Sequence, residues 1–163
     1  MELSASKTGI KIKSKNYSFS LDSLGDSDDS AVLISRPDKA YEKDDKLFIS
    51  GPGEYEVAGV SIKGEKTAGG IIYELINDSK RIFIFPSVES IKGKDTEGYD
   101  AVLIYIDQQV ESSSLSDLAS ELVVIYGEKD KIKIDAASLR SVDKVNLKKT
   151  EDLKGFTIFL NKE

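Results

Sequence analysis

The 163-residue sequence contains no histidine. That absence removes the imidazole base, the Ser-His-Asp triad and the His-ligated zinc site. Cysteine is absent too, which excludes disulfides, thiol catalysis and thiolate metal sites. A metal bound here would rest on carboxylates, carbonyls and water, a donor set that suits Mg²⁺, Ca²⁺ or Mn²⁺ better than Zn²⁺. Long apolar runs are missing as well: none approaches the roughly 20 residues that a membrane helix needs, and residues 1–7 lack the apolar region of a signal peptide. These absences predict a cytoplasmic protein with no membrane partner. Positive charge is in deficit, with 23 Lys and Arg against 29 Asp and Glu, a net charge of -6. Nucleic acid is therefore a disfavoured partner, because phosphate backbones call for a local excess of cations.

What is present reads as one folded domain over residues 1–163. Apolar residues make up 39% and charged ones 32%, a balance that supports a core rather than disorder. Ile10 and Ile12 alternate with lysines, and Tyr17, Phe19 and Leu21 alternate with serines. This period of two predicts two half-buried strands joined at Lys15-Asn16. Lys11, Lys13 and Lys15 share one side, expected to be a solvated face that guards an edge strand. The acidic stretch Ser23 to Ser30 fails the EF-hand pattern and is expected to be a solvated loop.

The unalternating runs Ala31 to Ile34 and Ala101 to Ile106 predict strands covered on both faces. They share AVLI about seventy residues apart, which suggests halves of about 1–67 and 68–163. Ile71 to Ile76 and Arg81 to Phe85 predict a hairpin, Leu122 to Tyr126 a buried strand, and Val142 to Leu147 and Phe156 to Leu160 closing strands. Leu115, Leu118, Ala119 and Leu122 fall at helical spacing, so a helix is expected over 112–122 with Ser114 as its N-cap. A short helix is expected after Asp135, and Glu65 to Gly70 is expected to be a loop.

The stretch Lys46 to Gly64, KLFISGPGEYEVAGVSIKG, places Gly51-Pro52-Gly53 between two apolar runs. The proline and glycines predict a hairpin with a tight corner there. Gly59, inside the second run, is expected to mark a bulge or a close backbone approach.

The residues Gly51, Pro52, Gly53, Glu54 and Tyr55 within GPGEYEVAGVSIKG resemble a signature of small bacterial metallo-β-lactamase-fold hydrolases, in the branch similar to ascorbate-phosphate lactonases. That resemblance implies an α/β, β-rich αββα sandwich of two mixed sheets, with trimmed outer helices in so short a chain. It also implies where a dinuclear metal site would lie. The family carries His-x-His-x-Asp-His after an early strand; after Ile34-Ser35 this chain reads Arg36-Pro37-Asp38-Lys39-Ala40-Tyr41. The histidine positions hold Arg36, Asp38 and Tyr41, and the aspartate position holds Ala40. Ser87 stands where the family's metal-bridging Asp follows a later strand, and Gly127 or Glu128 where its final His does. The resemblance thus implies a framework without its metal ligands, with Arg36 in the vacated pocket paired with Asp38.

The function expected from this is a non-catalytic pseudoenzyme of a bacterial type, with no cofactor, acting through an unknown protein partner or self-association near Arg36, Asp38, Tyr41 and Ser87. The alternatives are a phosphoester or lactone hydrolase with a carboxylate-only metal site using Asp38 and Glu128, and an RNA-binding module resting on the alternating lysines.

Overall fold

The computed structural model describes residues 1–24, 26, 28–36, 46–77 and 79–162. Among the described residues the chain forms two mixed sheets. The six-stranded sheet has the order β13-β1-β2-β3-β4-β5. Its strands are β1 (Glu2–Ala5), β2 (Ile10–Lys13), β3 (Ser18–Leu21), β4 (Ala31–Leu33), β5 (Phe48–Ile49) and β13 (Lys144–Asn146). The eight-stranded sheet contains β6 (Gly53–Val57), β7 (Val60–Thr67), β8 (Gly70–Ile76), β9 (Arg81–Phe85), β10 (Ala101–Ile106), β11 (Leu122–Gly127), β12 (Leu139–Val142) and β14 (Thr157–Leu160). Its order is β12-β14-β11-β10-β9-β8-β7-β6. Parallel pairing runs through β3-β4-β5 in one sheet and through β9-β10-β11-β14-β12 in the other.

The core lies where the inner faces of the two sheets meet. Leu3, Ile10, Ile12, Phe19, Leu21 and Leu33 from one sheet pack in a single cluster with Ile62, Tyr73, Leu75, Ile82, Ile84, Leu103 and Val124 from the other. The outer face of the eight-stranded sheet carries a second cluster, in which Ile72, Phe85, Val102, Ile104, Ile106 and Ile125 are joined by Val110, Leu115 and Ile134 from the connections. The unalternating run Ala101–Ile106 therefore does face apolar neighbours on both sides. Helix is limited, among the described residues, to four short 3₁₀ segments.

Several elements differ from the sequence reading. The corner at Gly51-Pro52 joins no hairpin: β5 and β6 belong to different sheets, and the corner is the crossover. Tyr55 pins it by donating its hydroxyl to the carbonyls of Gly51 at 3.0 Å and Pro52 at 3.2 Å. The hairpin is β6–β7, with Val57 opposite Val60 and only Ala58-Gly59 between them. Both turn residues have positive φ, 51° and 78°, the type I′ geometry that matches strand twist. Gly59 is thus a turn residue and not a bulge. Residues 65–67, expected in a loop, extend β7.

The expected helix over 112–122 is a single 3₁₀ turn, Ser112–Leu115, capped by Glu111, with Ser114 closing a capping box at the third position. Three serines in four residues compete for local backbone groups and lower helix propensity. Thr96 Oγ1 then accepts the Ala119 N–H at 2.8 Å, and Glu121 and Leu122 donate to Tyr99 and Asp100 on the way into β11. Asp135 opens a turn, not a helix, and the expected strand 142–147 is divided between β12 and β13. β1 went unread.

Lys11 is neither on an edge strand nor in free solvent. β2 lies between β1 and β3, and the Lys11 ammonium sits 2.5 Å from Asp26, 3.4 Å from Asp29 and 3.6 Å from Asp28. Asp29 is not solvated either: its side chain is fully buried and accepts the hydroxyls of Ser18 at 2.7 Å and Ser20 at 2.6 Å.

Candidate functional site

The site is built where strand ends from both sheets converge. β3 is followed by Asp22, whose φ of 52° is left-handed, a conformation that Asp tolerates better than most residues. Its N–H donates to Leu33 of the parallel neighbour β4 at 2.9 Å. The turned backbone aims the carboxylate at the residues that follow β4. Asp22 Oδ1 accepts the Ser35 N–H at 2.8 Å and Oδ2 accepts the Ser35 hydroxyl at 2.6 Å. Arg36 Nε lies 3.4 Å from Oδ2, and the Tyr126 hydroxyl donates to the same oxygen at 3.2 Å.

This cluster is buried. Asp22 and Ser35 have no exposed surface, Tyr126 has 2% and Arg36 has 7%. The Arg36 guanidinium stacks on the Tyr105 ring, its carbon 3.5 Å from the centroid. Tyr105 meets Tyr126 edge to face at 5.5 Å, as their pairing across β10 and β11 requires. Burial, followed by the neighbouring Asp22 charge, pushes the Tyr126 phenol well above its ordinary range, with the Arg36 charge opposing. Tyr126 is therefore a neutral hydrogen-bond donor.

The eight-stranded sheet closes the junction from the other side. The Ile71 N–H donates to the Ser35 carbonyl at 2.7 Å. A Cβ on Gly70 would stand 2.0 Å from that carbonyl oxygen, so only glycine admits the approach. The Tyr73 hydroxyl reaches the Ile34 carbonyl at 3.0 Å and the Ile49 carbonyl at 2.8 Å.

Among the described residues, two cavities border these strand ends. The larger, about 460 Å³, is bordered by Arg36, Tyr105, Tyr126, Gly127 and Glu128, by the β1–β2 turn with Lys7, and by Asn161 and Lys162 after β14. The smaller, about 140 Å³, is bordered by Gly69, Ser87, Glu89 and Asp107. Of the residues singled out from sequence, Arg36 and Glu128 share the first cavity and Ser87 borders the second. Asp38, Ala40 and Tyr41 lie outside the described residues, and with them the expected pairing of Arg36 with Asp38; among the described residues Arg36 pairs with Asp22. Gly51 to Tyr55 form the crossover corner and line neither cavity.

Asp22, Tyr105 and Tyr126 were missed from sequence. The tyrosines carried a signal: each interrupts the end of an aliphatic run, AVLIYI and LVVIY, at the same register. Asp22 carried little, since SFSLDS reads as an ordinary strand end.

No protein-family model matches the sequence, and no curated protein does. Solved structures do match in shape. A protein from Thermotoga maritima, described as a candidate Zn-dependent hydrolase of the metallo-β-lactamase superfamily, superposes with a TM-score of 0.67 over 98% of both chains at 14% identity. The metallo-β-lactamase fold protein YhfI from Bacillus subtilis superposes with a TM-score of 0.53 over 82% of this chain and 95% of its own, at 9% identity. This chain has the metallo-β-lactamase fold.

The zinc that such a fold implies can be tested against the donors present. The chain has no imidazole or thiolate, and among the described residues no group of three or more carboxylates is placed to hold a metal ion. Both oxygens of Asp22 are already engaged by Ser35, Arg36 and Tyr126. The described residues do not fit zinc.

Proposed function

We propose that this chain is a non-catalytic member of the metallo-β-lactamase fold, a binding or self-association module that works through the mouth of its strand-end cavities. One observation carries the reading. Arg36, at the end of β4 where the sequence resemblance puts the first metal loop, is buried as a permanent cation against Asp22 and Tyr105. A guanidinium in that position repels a divalent ion and satisfies the nearest carboxylate, two effects that both oppose metal binding. Hydrolysis by metal-bound hydroxide requires the ion that lowers the pKa of water, and nothing among the described residues offers it a ligand set.

Elemental analysis of protein purified without chelator, paired with thermal unfolding in the presence and absence of EDTA, tests this. The expected result is substoichiometric metal and a melting temperature that EDTA leaves unchanged. Stoichiometric metal, or a fall in melting temperature on chelation, overturns the reading in favour of a carboxylate-based hydrolase.

A further inference from the structure

We propose that the larger cavity binds a small oxyanion of the phosphate class without a metal ion. The inference deepens the non-catalytic reading by naming a ligand class, and it rests on that reading, since fixed side-chain charges take the place of a bound cation.

Three features support it. First, the cavity, at about 460 Å³, is in the range of small-molecule sites. Second, its charges converge from distant parts of the chain. Lys7 comes from the β1–β2 turn, Arg36 from the end of β4 and Lys162 from the segment after β14; Glu128 is the one anionic side chain among the described lining residues. Asp22 balances Arg36 from behind, so among the described lining residues the net charge is that of Lys7 and Lys162 less Glu128. In a chain of net charge -6 this is a local reversal of sign. Third, the neutral lining suits an oxyanion. Ser6, Thr8 and Asn161 supply hydroxyl and amide groups, and Arg36 is held in one orientation by Tyr105 and Asp22, which reduces the ordering cost on binding.

The same charge distribution selects against a polyanion. A long phosphate chain would lie over the acidic remainder of the surface, whereas a small dianion feels mainly the cavity.

The test is a titration of EDTA-treated protein with inorganic phosphate at low ionic strength, followed by amide chemical shifts and calorimetry. The expected result is saturable binding below about 10 mM, with shifts confined to residues around Lys7, Gly127 and Asn161. The double variant Lys7→Ala/Lys162→Ala, altered only at exposed positions, should weaken binding about tenfold. Glu128→Gln should strengthen it about threefold, by removing the opposing charge. Added NaCl should weaken it. Shifts that do not saturate, or that both sets of variants leave unchanged, overturn the oxyanion site while the non-catalytic reading stands. Binding that appears only when Mg²⁺ or Mn²⁺ is added back overturns both.

Discussion

Among the described residues, Arg36 and Asp22 form the most deeply buried ion pair. Both are buried, and removing one partner of a buried ion pair leaves the other uncompensated, at about 3–5 kcal/mol. Arg36→Ala should therefore lower the urea-unfolding free energy by about that amount. Replacing both partners, as Arg36→Met with Asp22→Asn, should cost less than Arg36→Ala alone. Asn also keeps the left-handed backbone at position 22 accessible. The special character of Arg36 was legible because the family pattern fixed its place after β4. Its contact with Asp22 was not legible, because Asp22 is brought there by the parallel pairing of β3 with β4, which local sequence does not encode.

Asp29 gives the clearest pH signature among the described acids. Burial alone would raise its pKa, but the hydroxyls of Ser20 and Ser18, the Asp26 N–H and the Lys11 charge together hold it below its ordinary value of 3.8. Folding thus favours the ionised form. The stabilisation is full above the unfolded pKa and is lost as pH falls through the lower folded value. Wild type should lose stability on acidification below about pH 4. Asp29→Asn should be less stable at pH 7, and the gap between the two proteins should narrow toward pH 2, as followed by thermal unfolding.

At the scale of elements, the β6–β7 hairpin contains a correctable flaw. Ala58 has a φ of 51°, which costs a β-carbon residue about 1 kcal/mol. Asn is the favoured first residue of this turn type when glycine follows. Ala58→Asn should raise the melting temperature by about 2–4 °C, measured by circular dichroism. The strands were mostly readable, since alternation in β2 and unbroken apolarity in β10 and β11 follow directly from which faces are covered; β3 differs from its expected half-burial, because Ser18 and Ser20 are buried with their hydroxyls on Asp29. The 3₁₀ turn at Ser112–Leu115 shows where that reading stops. Its leucines have helical spacing, yet Leu115 faces the outer cluster and Leu122 the inner core, so no single helix face was being buried.

For the whole molecule, the joint between the sheets matters most. Tyr73 reaches from β8 in the eight-stranded sheet to carbonyls that follow β4 and end β5 in the six-stranded one. Its phenol is pushed up by burial, so it stays a neutral donor throughout the physiological range. Tyr73→Phe leaves the Ile34 carbonyl without this donor and should cost about 1–3 kcal/mol, read as a lower denaturation midpoint with an unchanged m-value. The pairing of two sheets into a sandwich was legible only through the resemblance to a known family. Propensity and period specify strands, but not which sheet each one joins.

The chain crosses between sheets late. β13 pairs with β1, while its sequence neighbours β12 and β14 pair with each other in the opposite layer. During synthesis, then, β1 leaves the ribosome well before the strand that covers its outer side. Until residues 144–146 emerge, the nascent protein displays an open hydrogen-bonding border, an invitation to chaperones or to mispairing with a neighbouring copy.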